Sequence, residues 1–485
     1  MLSGSMSKKT STTPRRPNII FILTDQWRGD CLGAMGHPVV ATPHLDSLAH
    51  TGTLFTAAYS SCPSCIASRA GMFTGLEPSV HGRLGYRDRV PWNYERMLPQ
   101  LLADAGYQTG CVGKTHFYPQ GVRLGFEQLQ SYEGWQMFDR GYRNDYFEWL
   151  KEHTGGSVEE WDHGLTCNSW LGRASHLPEE LHNNTWVVTK SIEYLRNRDR
   201  DRPLFLNVSF HRPHPPLDPP QTALDLYRDV PLPPVPVGDW AQRHDLAVED
   251  VDAWQGRLPD HLLQLTRRAY YAQISHIDLQ IGRLMTVLRR EIQAGPTWII
   301  FASDHGEMLG DHHLFRKTYA YEGSARVPLI IHSPDASATR RCSEPVVVED
   351  LYPTLLQIAG VPLPERIDGR SLLPHTAEGP AAARPFVHGE HAACYSDDLG
   401  VQFLTDGREK YIWYTKTGRE QLFDLEADPT ELRDLARTRG RRKRLQTWRG
   451  RMIDLLADRP QDGLSDGRRL IPGRVLPDVR PELLR

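Results

Sequence analysis

Short, unbroken apolar runs separated by longer amphipathic stretches organise this chain. Asn18-Ile19-Ile20-Phe21-Ile22-Leu23-Thr24 is a continuous apolar run that predicts a strand buried on both faces. Similar runs at Leu204–Phe210, Thr297–Ser303 and Val327–His332 predict three more. Between them, Ile274, Ile277, Ile281, Leu284, Met285 and Leu288 fall at three- and four-residue spacing and predict one apolar helix face. Asp350–Ala359 predicts a further helix, closed at Gly360. Buried strands alternating with helices define the expected fold class: α/β, with a large, mostly parallel sheet sandwiched by helices.

The texture changes after about Pro380. Val401–Thr405 and Lys410–Tyr414 alternate across Asp406-Gly407, a hairpin signal, and Gln421–Leu425 reads as a third short strand. A basic, polar helix is expected over roughly Thr430 to Leu456, with Arg437 to Arg444 as its solvated face. The expected organisation is therefore a leader over 1–16, a catalytic domain over 17–380, a smaller C-terminal α+β domain over 381–458 and a tail over 459–485. The leader Met1-Leu2-Ser3-Gly4-Ser5-Met6 reads as disordered or as an added segment, with Met6 as the native start. The tail could swap onto a second subunit, which leaves a homo-oligomer open. The sequence shows no internal repeats.

Composition narrows the class without naming a function. The 485 residues suffice for more than one core, and 39% hydrophobic with 24% charged residues is ordinary for a globular protein. A net charge of -3 gives no reason to expect nucleic acid or a membrane surface as partner. No apolar run approaches the roughly 20 residues that span a bilayer, and the polar, basic start has no apolar signal core. A cytoplasmic location is expected, so the sequon Asn183-Asn184-Thr185 carries no weight. Seven scattered cysteines make no disulfide framework, and Cys31, Cys111, Cys167, Cys342 and Cys394 read as buried or incidental thiols.

Chemistry gathers where the runs end. In parallel sheets ligands bind beyond the carboxyl ends of strands. Asp25 and Gln26 follow the first run, His211 and His214 the second, and Asp304 and His305 the third. An aspartate at one strand end is often only a turn residue, but two such ends supply carboxylates, an amide oxygen and an imidazole. That set suits one divalent cation such as Ca, Mn or Mg. The loop continues through Gly310-Asp311-His312-His313, whose histidines read as supporting or surface groups.

Cys62-Pro63-Ser64-Cys65 is a CxxC, which alone would suggest redox chemistry or half a zinc site, but no second CxxC exists. The stronger pattern starts at Cys65 and runs Cys-x-Ala-x-Arg through Arg69 into a short helix ending near Gly75. This places Cys65 at a helix N-terminus, where exposed N–H groups favour an anion, with Arg69 one turn later.

These motifs resemble the sulfatase family of the alkaline-phosphatase-like superfamily, whose signature is Cys-x-Pro/Ala-x-Arg. The likeness extends to the opening Asn18–Gln26 segment, Gly113-Lys114-Thr115-His116, Pro213-His214-Pro215-Pro216, Ser303-Asp304-His305-Gly306-Glu307, Lys317 and Asp424–Glu431. It spans about Pro17 to Leu435. It implies that Cys65 is converted to formylglycine by a formylglycine-generating enzyme, and that Asp25, Gln26, Cys65, Asp304 and His305 hold the metal. It also implies catalytic roles for Cys65, Arg69, Lys114, His116, His214 and Lys317. His214 is the first candidate to protonate the leaving alcohol, Lys317 the second, and His116 the base. The expected activity is hydrolysis of aryl or carbohydrate sulfate esters.

Two departures bear on substrate and metal. The family commonly has a second aspartate where this chain has Gln26, and often asparagine where it has His305. The Asp-Gln and Asp-His forms look like the branch containing phosphonate monoester hydrolases and some bacterial sulfatases, so a phosphonate monoester or phosphodiester hydrolase is the alternative. A non-catalytic binding protein and a zinc phosphomutase or phosphatase fit the retained residues less well. The segment from Gln128 to Leu181, with Trp135, Phe138, Tyr142, Tyr146 and Trp149, reads either as a pocket wall or as the core of an insertion. Arg28 is placed to reach a substrate.

Overall fold

The structure is a computed structural model and describes residues 16–134, 144–291, 295–335, 339–377 and 383–484. Its strands in chain order are β1 (Asn18–Asp25), β2 (Thr53–Phe55), β3 (Ala58–Tyr59), β4 (Gln108–Gly113) and β5 (Gln128–Ser131). They continue with β6 (Leu204–Pro213), β7 (Thr297–Ser303), β8 (Leu329–His332), β9 (Arg340–Cys342) and β10 (Val346–Val347). The last four are β11 (Val387–His391), β12 (Val401–Thr405), β13 (Glu409–Tyr414) and β14 (Glu420–Asp424).

Eight of these form one sheet in the order β5-β4-β6-β1-β7-β8-β2-β9. β1 lies between β6 and β7 and is parallel to both, and only β8 runs against the rest. The continuous apolar run of β1 is explained by its two coats. Ile20 and Ile22 pack into one core with Ile274, Ile277 and Ile281 of helix Asp260–Glu291. Ile19, Phe21 and Leu23 pack into the other with Ile66, Ala70 and Phe73 of helix Cys65–Thr74 and Leu351 and Leu355 of helix Leu351–Ile358. The expected mostly parallel sheet sandwiched by helices is what forms.

β11 to β14 make a separate antiparallel sheet in the order β11-β12-β13-β14. The expected hairpin is β12–β13, turning at Gly407 with a φ of 81° that favours glycine. One face, with Phe403, Ile412 and Phe423, covers Met308, Leu314, Tyr319 and Tyr321 of the large domain's loops. The other, with Leu404, Tyr411 and Trp413, receives Leu445, Trp448, Met452 and Leu456. Those four share one face of helix Arg442–Ala457, each contributing about 1.5–3 kcal/mol by burial.

One expectation needs correction, one strand was not foreseen, and the tail has a defined place in this chain. The basic helix begins at Arg442, not Thr430, because Leu435–Arg437 and Arg439–Arg441 form single 3-10 turns around Gly440. β11 was not expected, because Val387-His388-Gly389-Glu390-His391 reads as polar although Glu390 and His391 are buried. The final segment folds back on its own chain: Leu464 and Leu476 enter the core beneath helix Arg442–Ala457, and Arg480 donates its backbone N–H to Gly82 O at 2.8 Å. The expected leader falls almost wholly outside the described residues. No helix among the described residues is long and apolar enough to cross a membrane.

Candidate active site

The ends of β1, β4, β6 and β7 converge on the N-terminus of helix Cys65–Thr74. Asp25 closes β1, and Asp304 and His305 follow β7 directly. Cys65 is the first residue of its helix, with Ser64 as an extended N-cap. The four side chains are buried, and their donor atoms lie within 4.8 Å of one another. Cys65 Sγ is 3.1 Å from His305 Nε2 and 3.5 Å from Asp25 Oδ1. His305 Nε2 is in turn 3.4 Å from Asp25 Oδ1 and 3.7 Å from Asp304 Oδ1.

Hydrogen bonding orients this cluster toward a cation. His305 Nδ1 lies 2.9 Å from Gly306 O, and a carbonyl only accepts, so Nδ1 carries the proton. The Nε2 lone pair therefore faces the two carboxylates, the arrangement a metal-ligating imidazole uses. Burial holds the His305 pKa at about 4 against the pull of Asp304, which keeps the ring neutral. Two carboxylates, an imidazole nitrogen and the position-65 side chain thus fit a divalent cation. Gln26 sits beside them with a φ of 70°, its Oε1 accepting from Lys317 Nζ at 2.7 Å and its Nε2 donating to Glu307.

Cationic groups close the site. Arg69 donates from Nε to Asp304 Oδ2 at 2.8 Å and from Nη1 to Lys114 O at 2.9 Å and Ser209 Oγ at 3.1 Å. Lys114 Nζ pairs with Asp25. Burial opposes the Lys114 charge, but Asp25 more than offsets it and raises its pKa; Asp25 is held well below the carboxylate range despite burial, chiefly by Lys114. Lys114 reaches this position because Gly113, at a φ of 109°, brings the backbone against Ser209 O, where any Cβ would lie 1.8 Å away. Glu133 then accepts the backbone N–H groups of Thr115 and His116, fixing the loop.

Two histidines complete the arrangement. His214 Nδ1 is 2.8 Å from Pro215 O, so it donates there and leaves Nε2 to accept from Lys317 Nζ, also at 2.8 Å. Burial and then Lys317 push the His214 pKa well down. His116 Nε2 is 3.4 Å from Asp88 Oδ1, and Tyr86 donates its hydroxyl to Asp88 Oδ2 at 2.8 Å. Burial and Lys114 lower the His116 pKa, with Asp88 opposing. On Cys65, burial and the Asp25 charge push the thiol up to about 12.

All the sequence-predicted site residues meet here, and of their neighbours Arg28 does not behave as expected. Arg28 is spent on Asp30, Asp311 and the carbonyls of Glu307 and Met308, so it braces loops instead of reaching a substrate. His312 is buried against Trp240 and Tyr321, away from the metal cluster. Tyr146 and Trp149 pack into a core with Trp186, while Trp135, Phe138 and Tyr142 fall outside the described residues. A cavity of about 220 Å³ opens over Cys65, lined also by Lys114, His116, His214 and Lys317. Sequence reasoning missed the rest of its lining, including Tyr86, Asn168, Arg316, Thr318 and Tyr395, and had set aside Cys167 and Cys394, which also line it. These come from loops with no periodicity to flag them.

The family model for sulfatases matches residues 17–361. The chain belongs to the sulfatase family. Residues 310–457 also match the model described as N-sulphoglucosamine sulphohydrolase, C-terminal. An arylsulfatase of Clostridium perfringens (strain 13 / Type A) is 40% identical over 474 residues, covering 94% of this chain and 98% of that protein. A choline-sulfatase of Rhizobium meliloti (strain 1021) is 32% identical over 445 residues, 87% of this chain and 83% of that one. The solved phosphonate monoester hydrolase of Agrobacterium radiobacter superposes with a TM-score of 0.76 at 27% identity, covering 92% of this chain and 96% of its own.

Proposed function

We propose that this sulfatase hydrolyses aryl or carbohydrate sulfate esters, with position 65 as formylglycine and Asp25, Gln26, Asp304 and His305 holding one divalent metal. The observation that carries the reading is Cys65 Sγ lying 3.1 Å from the metal-facing nitrogen of His305, beneath a cavity that Lys114 and Lys317 also line. The likeness to an arylsulfatase over nearly the whole of both chains supports sulfate over phosphonate as substrate. With its pKa near 12, the bare Cys65 thiol is a weak nucleophile at neutral pH, which supports conversion by a formylglycine-generating enzyme. The metal and the hydrated aldehyde would supply Lewis acidity and an oxygen nucleophile.

The chain's own groups do the rest. Lys114 and Lys317 face the cavity and neutralise the sulfo oxygens as charge shifts toward the leaving group. Arg69, engaged by Asp304, Lys114 and Ser209, orients the cluster. His214 accepts a hydrogen bond from Lys317, so the proton directed at the leaving alcohol is the lysine's, with His214 holding it in place. His116, neutral and braced by Asp88, accepts a proton in the second half of the cycle. The six cysteines other than Cys65 are all free thiols, which supports a reducing, cytoplasmic setting. The start of β11 at Val387 supports dividing the two domains near residue 380, with 17–380 catalytic and 381–458 the smaller unit.

Peptide mass analysis around Cys65, on protein made with and without the generating enzyme, tests the nucleophile. A mass about 18 Da below cysteine, tracking activity, supports it; full activity with unmodified cysteine sinks it. Faster turnover of a phenyl phosphonate ester than of 4-nitrophenyl sulfate would move the assignment to phosphonates.

A further inference from the structure

Arg316 stands apart from the other cations over Cys65. Lys114 is paired with Asp25 and Arg69 with Asp304. Lys317 gives its ammonium to Gln26 and His214. The half-buried Arg316 guanidinium also lines the cavity, yet no described carboxylate pairs with it, and its buried Nε has no hydrogen-bond partner among the described residues. A buried donor such as this Nε carries a desolvation cost that an anionic ligand in the cavity would relieve, and the terminal nitrogens are left free to bind it.

Its position is fixed by surroundings that do not neutralise it. The backbone N–H of Arg316 donates to Glu307 Oε1 at 2.6 Å, and that of Thr318 to Pro63 O at 2.9 Å. Arg316 and Thr318 hold φ values of 70° and 82°, strain that a bulky residue adopts only where neighbours impose it. The guanidinium carbon lies 5.7 Å from the ring centre of Tyr395, which also lines the cavity and stacks on Trp254 at 5.5 Å with the planes 10° apart. This is a rigid fork beside an aromatic wall, one residue before Lys317.

A sulfate monoester carries its one charge on the sulfo group, which Lys114 and Lys317 already serve. We propose that Arg316 is a specificity-determining residue that binds a second anionic group, a carboxylate or further sulfate, on the leaving-group side of the substrate, with Tyr395 beside the ring that carries it. This rests on the sulfatase reading and names a substrate class within it: sulfate esters of acidic phenols or acidic sugars.

The test compares 3-carboxyphenyl sulfate with its neutral near-isostere 3-carbamoylphenyl sulfate on the mature enzyme and on Arg316→Ala and Arg316→Lys. The unsubstituted enzyme should favour the carboxylate by about tenfold or more in kcat/KM, mainly through KM, as a charge-assisted contact would. Arg316→Ala should abolish that preference and Arg316→Lys should restore part of it. A merely structural role would lower both esters alike and leave their ratio standing. No preference in the unsubstituted enzyme, or a ratio unmoved by Arg316→Ala, overturns the proposal. Failure to hydrolyse either ester also overturns the proposal, and failure on 4-nitrophenyl sulfate and a sulfated sugar as well would remove the sulfatase reading with it.

Discussion

Arg69 Nε lies 2.8 Å from Asp304 Oδ2, and neither side chain has any exposed surface. The pair joins the helix that presents Cys65 to the strand end that presents Asp304, a candidate metal ligand. Removing one member of a buried pair strands the other, at roughly 3–5 kcal/mol. Arg69→Ala should therefore lose about that much stability in urea unfolding of metal-free protein. It should lose clearly less in metal-loaded protein, where the cation takes over neutralisation of Asp304. Equal losses in both states would mean that Asp304 is not a metal ligand. Arg69→Lys keeps the charge but cannot serve Asp304, Lys114 O and Ser209 Oγ together, so it should rescue stability better than turnover.

Lys317 and His214 make a different prediction, because their hydrogen bond has a direction. With Nδ1 committed to Pro215 O, His214 is the acceptor and Lys317 the donor. Replacing Lys317 by Ala should cost about 10²–10⁴ in kcat on phenyl sulfate, whose leaving group needs a proton. The loss should be much smaller on 4-nitrophenyl sulfate, which departs as a stable anion. The His214→Ala enzyme should show the same pattern more weakly. Parallel losses on the two esters would remove proton transfer from both residues.

Metal choice should follow residue 305. A neutral imidazole, its Nδ1 fixed by Gly306 O, is a softer donor than a carboxamide oxygen. Calorimetric titration of chelator-stripped protein should show manganese binding more tightly than calcium. His305→Asn should narrow or reverse that order, with manganese affinity falling at least about 10- to 100-fold, the scale that loss of a mere supporting contact to a ligand already costs. Unchanged relative affinities would take His305 out of the ligand set.

How much of this was legible beforehand follows from distance along the chain. β1 and β7 announced themselves as unbroken apolar runs because both of their faces are buried, and the carboxylates sat where the runs stopped. Cys65 and Arg69 were readable because one helical turn is a short, regular spacing. Arg316, Tyr86, Asn168 and Tyr395 were not, since their loops meet only when the sheet and the small domain assemble. Arg28 misled for the opposite reason: nearness in sequence to Asp25 suggested a substrate contact, whereas Asp30 and Asp311 had already claimed its charge. β11 escaped because Glu390 is a buried charge, and pattern reading places charges outside.

That buried charge also carries a pH prediction. Glu390 Oε1 and Oε2 each accept from Arg459 at 2.8 Å, tying β11 to the segment after helix Arg442–Ala457. Burial raises the Glu390 pKa, but Arg459 more than offsets this and holds it at about 2 against an ordinary 4.5. A carboxylate whose pKa is lower in the folded chain binds fewer protons there than when unfolded. Its stabilisation is therefore complete above about pH 4.5 and drains away as pH falls toward 2, amounting to about 3 kcal/mol. Urea midpoints measured across that window should fall more steeply for the unsubstituted protein than for Glu390→Gln, which has no proton to gain at this position. Arg459→Ala should be less stable at pH 7 and should lose its own acid sensitivity there, because an unpaired Glu390 already prefers to be protonated. Matching slopes in all three proteins would show that the pair leaves acid stability unaffected and that other carboxylates set the acid limit.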